Sequence, residues 1–245
     1  MVLGLSAALT VTACGSGGSS GTGAGAPAAA GTTAPAAAPT ASATPSAAAA
    51  PTGAAAPAGP SRILGKAELQ AALIATGDLN GYTAMEMPME IGKEVLSTRP
   101  ADCQPIENIR TGKIKPAPAA YAFTGVAAGT GSSPTALTQI MLTSLDGGAA
   151  HQVLADLKSA LTTCTGYEGS IPKRGTVAAL PAPPFGEEAV SYTITSDGHA
   201  QELTVVRLGS VVAVFSPSAL PGASPAKTPQ ELVARQLEKI RTTTG

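Results

Sequence analysis

The sequence predicts an α+β domain, an antiparallel sheet with helices packed on it, preceded by a disordered tether. Three observations predict this. Strand-like segments come in hairpins and not in regular alternation with helices, which favours antiparallel pairing. Two segments carry apolar residues at helical spacing. From Gly15 to Ser61 there is no Asp, Glu, Lys or Arg, so all 15 basic and 16 acidic residues of the 245 lie from Arg62 onward.

Taken in order, Ala67–Thr76 reads as a helix that stops at Gly77, and Tyr82–Met87 reads as extended. A short helix begins near Asp102. Ala119–Val126 and Leu137–Leu145 form a strand pair joined by the Gly- and Ser-rich loop Gly129–Pro134. The next helix takes Asp146 as its N-cap and buries a stripe of Ala150, Val153, Leu154, Leu157 and Leu161. After a crossing rich in proline (Pro181, Pro183, Pro184) come three consecutive strands. In the first, Val190, Tyr192 and Ile194 alternate with Ser191, Thr193 and Thr195. Asp197-Gly198 turns the chain into 201–208, and Gly209-Ser210 turns it again into 211–215. Gly209 is expected to need a positive φ, whereas Ser210 reads as freely replaceable, even by Asn. The last helix has Thr228 as N-cap, Pro229 at N1 and Glu231 at N3. Its Leu237 and Ile240 are expected on the face of Val206, Leu208, Val211, Ala213 and Phe215. The order strand-strand-helix near 119–161 and strand-strand-strand-helix near 188–242 hints at a loose duplication.

Residues 2–13 form an apolar run that as a helix is about 18 Å long, short of a ~30 Å hydrocarbon core. It ends in Val11-Thr12-Ala13-Cys14-Gly15, which resembles the lipobox of bacterial lipoproteins. The resemblance implies a signal peptide over 1–13 and lipidation, palmitate included, on Cys14, whose acyl chains would enter the lipid bilayer. No Lys or Arg precedes the run, so a true start upstream of Met1 is expected. Residues 14–61 are then a linker of Ala, Pro, Gly, Ser and Thr with a coil span of roughly 40 Å. The remaining domain, 62–245, has roughly 180 residues.

Outside the cytosol the two remaining thiols, Cys103 and Cys164, are expected to pair. His151 falls on the polar face of its helix and His199 follows a turn, so neither reads as a metal ligand and no metal or cofactor is expected. The net charge of −1 arises from mixed signs. It offers no basic face for nucleic acid. Arg110, Lys113 and Lys115 read as a solvated loop. Met85, Met87 and Met89 share a face of an extended segment and read as packing more than as thioether ligands for copper. Ser170-Ile171-Pro172-Lys173 spells the Ser-x-x-Lys of penicillin-interacting enzymes, but Pro172 and the strand-like residues that follow it break the helix that motif needs, and Arg110-Thr111-Gly112 stands on the wrong side of it. Glu187 and Glu188 would diverge on a strand and make a poor acid/base couple. No catalytic residue is assigned.

Ile63-Leu64, Pro100-Ala101-Asp102-Cys103, Ala120-Tyr121, the run from Leu137 to Cys164, and Val206–Val212 together resemble the extracellular sensor domain of receptor serine/threonine kinases of high-GC Gram-positive bacteria, in its stand-alone lipoprotein form. The family's second cysteine pair is absent, and Leu161 stands where the family has Trp. The resemblance implies a compact domain with a cleft for ligand sensing or protein contact, without a kinase. The sequence therefore leads to two expectations at the outer face of the cytoplasmic membrane. The first is a non-enzymatic binding or sensor-type module for an unknown small ligand. The alternative is a structural or assembly lipoprotein contacting envelope proteins.

Overall fold

The computed structural model describes residues 58–87, 90–92, 97–129, 136–169, 174–219 and 227–244. Cys14, Met89 and the motif Ser170–Lys173 lie outside the described residues. All that is described belongs to one compact unit, Thr52–Gly245. The helices are α1 (Lys66–Ala72), α2 (Gln104–Thr111), α3 (Gly147–Thr163) and α4 (Gln230–Thr244). The strands are β1 (Tyr82–Glu86), β2 (Ala120–Ala128), β3 (Ala136–Ser144), β4 (Gly166–Glu168), β5 (Arg174–Leu180), β6 (Glu188–Ser196), β7 (His199–Leu208) and β8 (Val211–Ala219).

The strands make one eight-stranded sheet in the order β1-β2-β3-β8-β7-β6-β5-β4. Every pairing is antiparallel. In chain order β1, α2, β2 and β3 precede α3, and the five strands β4–β8 precede α4. The two halves, joined by β3 and β8, differ in strand number and in the helix α2 within the first, so the loose duplication has no close counterpart in the topology.

Both faces of the sheet are covered. Strand alternation sends Met141, Val212 and Val214 to a core with α2 and α3, while Ile140, Leu142, Val211, Ala213 and Phe215 join a core with α1 and α4. The central strands are apolar on both faces for this reason. Leu237 and Ile240 pack with Val206, Leu208 and Phe215, as the hairpin pattern predicts. Burying each such side chain contributes about 1.5–3 kcal/mol.

Several boundaries depart from the sequence reading. α1 ends at Ala72 and not at Thr76, because Leu73 turns extended. Gln236 of α4 then accepts from Ile74 N at 2.9 Å and donates to the Ala72 carbonyl at 2.7 Å, replacing the bonds another helical turn would make. α4 starts at Gln230, one residue later than the expected Pro229. Thr204 donates to the Thr228 hydroxyl, and Glu231 accepts from the Tyr82 hydroxyl at 2.6 Å. On α3 the Asp146 cap is present, accepting from Ala149 N at 2.8 Å. Ala160 is buried in the stripe, and Leu161 packs at its margin. β4 lies outside the sequence expectation, while β5 takes up the strand-like residues expected after Pro172.

Cys103 and Cys164 form a disulfide with Cα atoms 5.4 Å apart, tying the start of α2 to the end of α3. At the β6–β7 turn Asp197 and Gly198 have φ of 50° and 78°. At the β7–β8 turn Gly209 has φ 60°.

Candidate functional site

β1 is shorter than the strand it pairs with. Its register runs from Tyr82 opposite Ala128 to Glu86 opposite Thr124, and β2 continues beyond that to Ala120. The space left where β1 stops is the largest cleft among those described, about 700 Å³. Lys66, Gln70 and the Leu73–Thr76 segment form one wall; Met85, Glu86 and Met87 form another, over Phe123 and Thr124. Thr76 closes one end by donating to the Ala84 carbonyl (3.2 Å) and accepting from Ala84 N (3.0 Å). Thr124 donates to the Met85 carbonyl at 3.1 Å, which fixes the last paired residues of β1. A second cleft of about 380 Å³, lined by Ile63, Leu64, Lys66, Pro118, Ala120 and Tyr121 among others, lies along the rest of β2.

The cleft's chemistry is set by what its side chains do not already bind. Lys66, Gln70 and Glu86 are exposed and have no hydrogen-bond or ion-pair partner among the described residues. Met85 and Met87 lie over Gly125, where a Cβ would come within 2.8 Å of Met87 Sδ. The Met87 thioether thus packs against the strand, while Met85 stays 42% exposed. Tyr121 and Phe123 meet edge to face, with ring centroids 5.4 Å apart.

Elsewhere the charged groups satisfy one another. Glu107 is 1% exposed; it takes a two-pronged bond from Arg110 (2.9 and 2.7 Å) and a bond from the Tyr167 hydroxyl at 3.0 Å. Arg110 therefore belongs to α2 and turns inward, against the expectation of a solvated loop. Burial, with Glu107 beside it, pushes the Tyr167 phenol up to about 12. Burial also raises the neighbouring Tyr192 phenol, whose hydroxyl has no partner among the described residues.

Glu187 and Glu188 converge where divergence was expected. Glu187 precedes the first residue of β6, so strand alternation does not govern the pair. Both meet Arg207, at 2.7 Å and 2.8 Å. Glu188 also binds Lys158 at 2.7 Å and the exposed His151 at 2.6 Å. Burial alone would raise the Glu188 carboxyl, but Lys158, His151 and Arg207 hold it down at about 2. Two ionised carboxylates on one guanidinium are a structural clamp and not an acid/base couple. His199 is exposed at the start of β7. No cluster of three or more His, Cys, Asp or Glu able to hold a metal occurs among the described residues.

The clamp has a further partner. Glu187 Oε1 accepts from Gly59 N (3.0 Å) and Gly209 N (2.9 Å), while Ser210 N donates to the Pro60 carbonyl at 2.7 Å. Ser210 is fully buried, and its hydroxyl donates to the Arg62 carbonyl at 2.5 Å. The chain from Gly59 to Arg62 is thus held across the β7–β8 turn, three residues ahead of the expected domain start. The reading of Ser210 as freely replaceable fails on this contact, which no local turn pattern can show.

No helix among the described residues is long and apolar enough to cross a membrane. No family model matches the chain, and no curated protein does. Among solved structures, the chain is similar to a putative uncharacterized protein (Rv0999 ortholog) from Mycobacterium smegmatis, at 16% identity and TM-score 0.31, covering 66% of this chain and 83% of that one. It is also similar to the extracellular domain of PknH from Mycobacterium tuberculosis, at 13% identity and TM-score 0.49, covering 74% of this chain and 99% of that one.

Proposed function

We propose that the chain is a lipid-anchored, non-enzymatic binding module of the cell envelope, held through Cys14 at the outer face of the cytoplasmic membrane. The observation that carries the binding role is the cleft beside β1. It has about 700 Å³ of space and an apolar floor at Phe123, and the side chains of Lys66, Gln70 and Glu86 have no partner among the described residues. Such a combination is how binding sites differ from structural surface. The anchoring rests on the apolar run, Val11–Gly15 and the charge-free linker.

Two experiments test the two halves. Cys14→Ser should move the protein from the membrane fraction to the medium or leave an unprocessed precursor; unchanged fractionation and mass would end the anchoring claim. The full chain carrying Cys14→Ser should then show a ligand-dependent rise in melting temperature in an untargeted screen, and Lys66→Ala with Gln70→Ala should abolish it. Hits indifferent to those changes would place binding elsewhere.

A further inference from the structure

Ala120, Tyr121, Ala122 and Phe123 have β3 on one side and, among the described residues, no strand on the other. The exposed row of N–H and C=O groups on such an edge is a template for another chain. Edges are usually blunted by lysine or proline inside the strand, and none occurs in these four residues. The 700 Å³ and 380 Å³ clefts run along this same edge and share Lys66 as a lining residue. The exposed large apolar side chains among the described residues, Ile63 at 50% and Met85 at 42%, line one cleft each.

We infer that this recessed edge is a strand-addition site for an extended peptide segment of a partner protein. The inference deepens the binding-module reading and rests on it. The peptide takes the place β1 would fill if it were four residues longer, so the edge supplies main-chain hydrogen bonds and the flanks supply selectivity. On one face Tyr121 and Phe123 offer aromatic contact. On the other, Ala120 is small and lines the smaller cleft together with Lys66, while Ala122 is buried in the core beside it. The site therefore selects a segment with alternating side chains, apolar toward the aromatic pair and acidic toward Lys66. A single chain fits where a second copy does not. The edge is set back behind β1 by one strand spacing, ~4.8 Å, so a folded domain approaching it meets β1 first.

The probe is a blocked hexapeptide alternating valine with glutamate and threonine, with a second version N-methylated on alternate residues. Each is titrated into the full chain carrying Cys14→Ser, with amide hydrogen exchange read residue by residue. Protection confined to residues 120–123, with binding weakened about tenfold or more by N-methylation, is the expected result. Lys66→Glu should leave the fold intact, weaken the glutamate probe and favour a lysine version. Equal binding of the N-methylated probe, protection elsewhere, or a doubling of mass through this edge would overturn the inference. If no probe binds while a small ligand still raises the melting temperature through Lys66 and Gln70, the inference falls and the module reading stands. If neither binds, both fall.

Discussion

Gly209→Ala tests the contact between the entering chain and the sheet, and its cost can be worked from the structure. Gly209 has φ 60°, so any L side chain there incurs about 1–2 kcal/mol of backbone strain. A Cβ would also sit 2.1 Å from the Pro60 carbonyl oxygen and 2.7 Å from Gly59 C, both backbone atoms that must move away. Moving them breaks Ser210 N–Pro60 O, Gly59 N–Glu187 and Ser210 Oγ–Arg62 O, each worth about 1 kcal/mol net. The expected loss is about 4–5 kcal/mol. Gly198→Ala is the control, because Gly198 has φ 78° and its added Cβ meets nothing within 4 Å. It should cost the strain alone, about 1–2 kcal/mol. Urea denaturation of both variants, repeated in a chain beginning at Ile63, completes a double-mutant cycle. In the shortened chain the Gly209→Ala penalty should shrink to that of Gly198→Ala. Equal penalties in the full chain, or an unchanged Gly209→Ala penalty after shortening, would refute the contact.

Other outcomes follow from the same geometry. Ser210→Asn should destabilise by about 1–3 kcal/mol, since a buried hydroxyl and its carbonyl partner are disturbed; unfolding curves identical to wild type would contradict this. Gln236→Leu leaves Ile74 N and the Ala72 carbonyl unpaired in the core and should cost about 2–4 kcal/mol by the same assay. Reduction of Cys103–Cys164, which closes a separation of 61 residues, should cost about 4 kcal/mol in the loop-entropy picture. Alkylation mass spectrometry of the chain carrying Cys14→Ser should find no label before reduction and two after it. The Glu188 carboxyl lies at about 2 against an ordinary 4.5, so the unfolded chain binds that proton first. Its contribution is complete above about pH 4.5 and is lost as pH falls toward about 2; Glu188→Gln should flatten stability over that window.

The parts of the fold legible in the sequence are those whose cause is local. The alternation of Val190, Tyr192 and Ile194, the Asp197-Gly198 turn and the Asp146 cap each place an element within a few residues of where it lies. The end of α1 was illegible, because the group that satisfies Ala72 and Ile74 comes from Gln236, more than 160 residues away. β4 is only three residues long and carries no periodicity that could reveal it. The cleft was harder still. Its existence depends on β1 stopping at Glu86 while β2 runs on, a difference between two strands that neither sequence contains. The uncommitted state of Lys66 and Glu86 is likewise a property of their surroundings.

The contact of Gly59–Arg62 with the β7–β8 turn has a mechanical meaning. Tension arriving along the chain from upstream meets the bonds to Ser210 and Glu187 before it reaches α1. From there the load passes into β7 and β8, which occupy the middle of the sheet with paired neighbours on both sides. Arg207, joined to Glu187 and Glu188, spreads part of it sideways into β6. A pull on this domain is thus borne by central strands paired on both sides, and the short helix beside the cleft is spared.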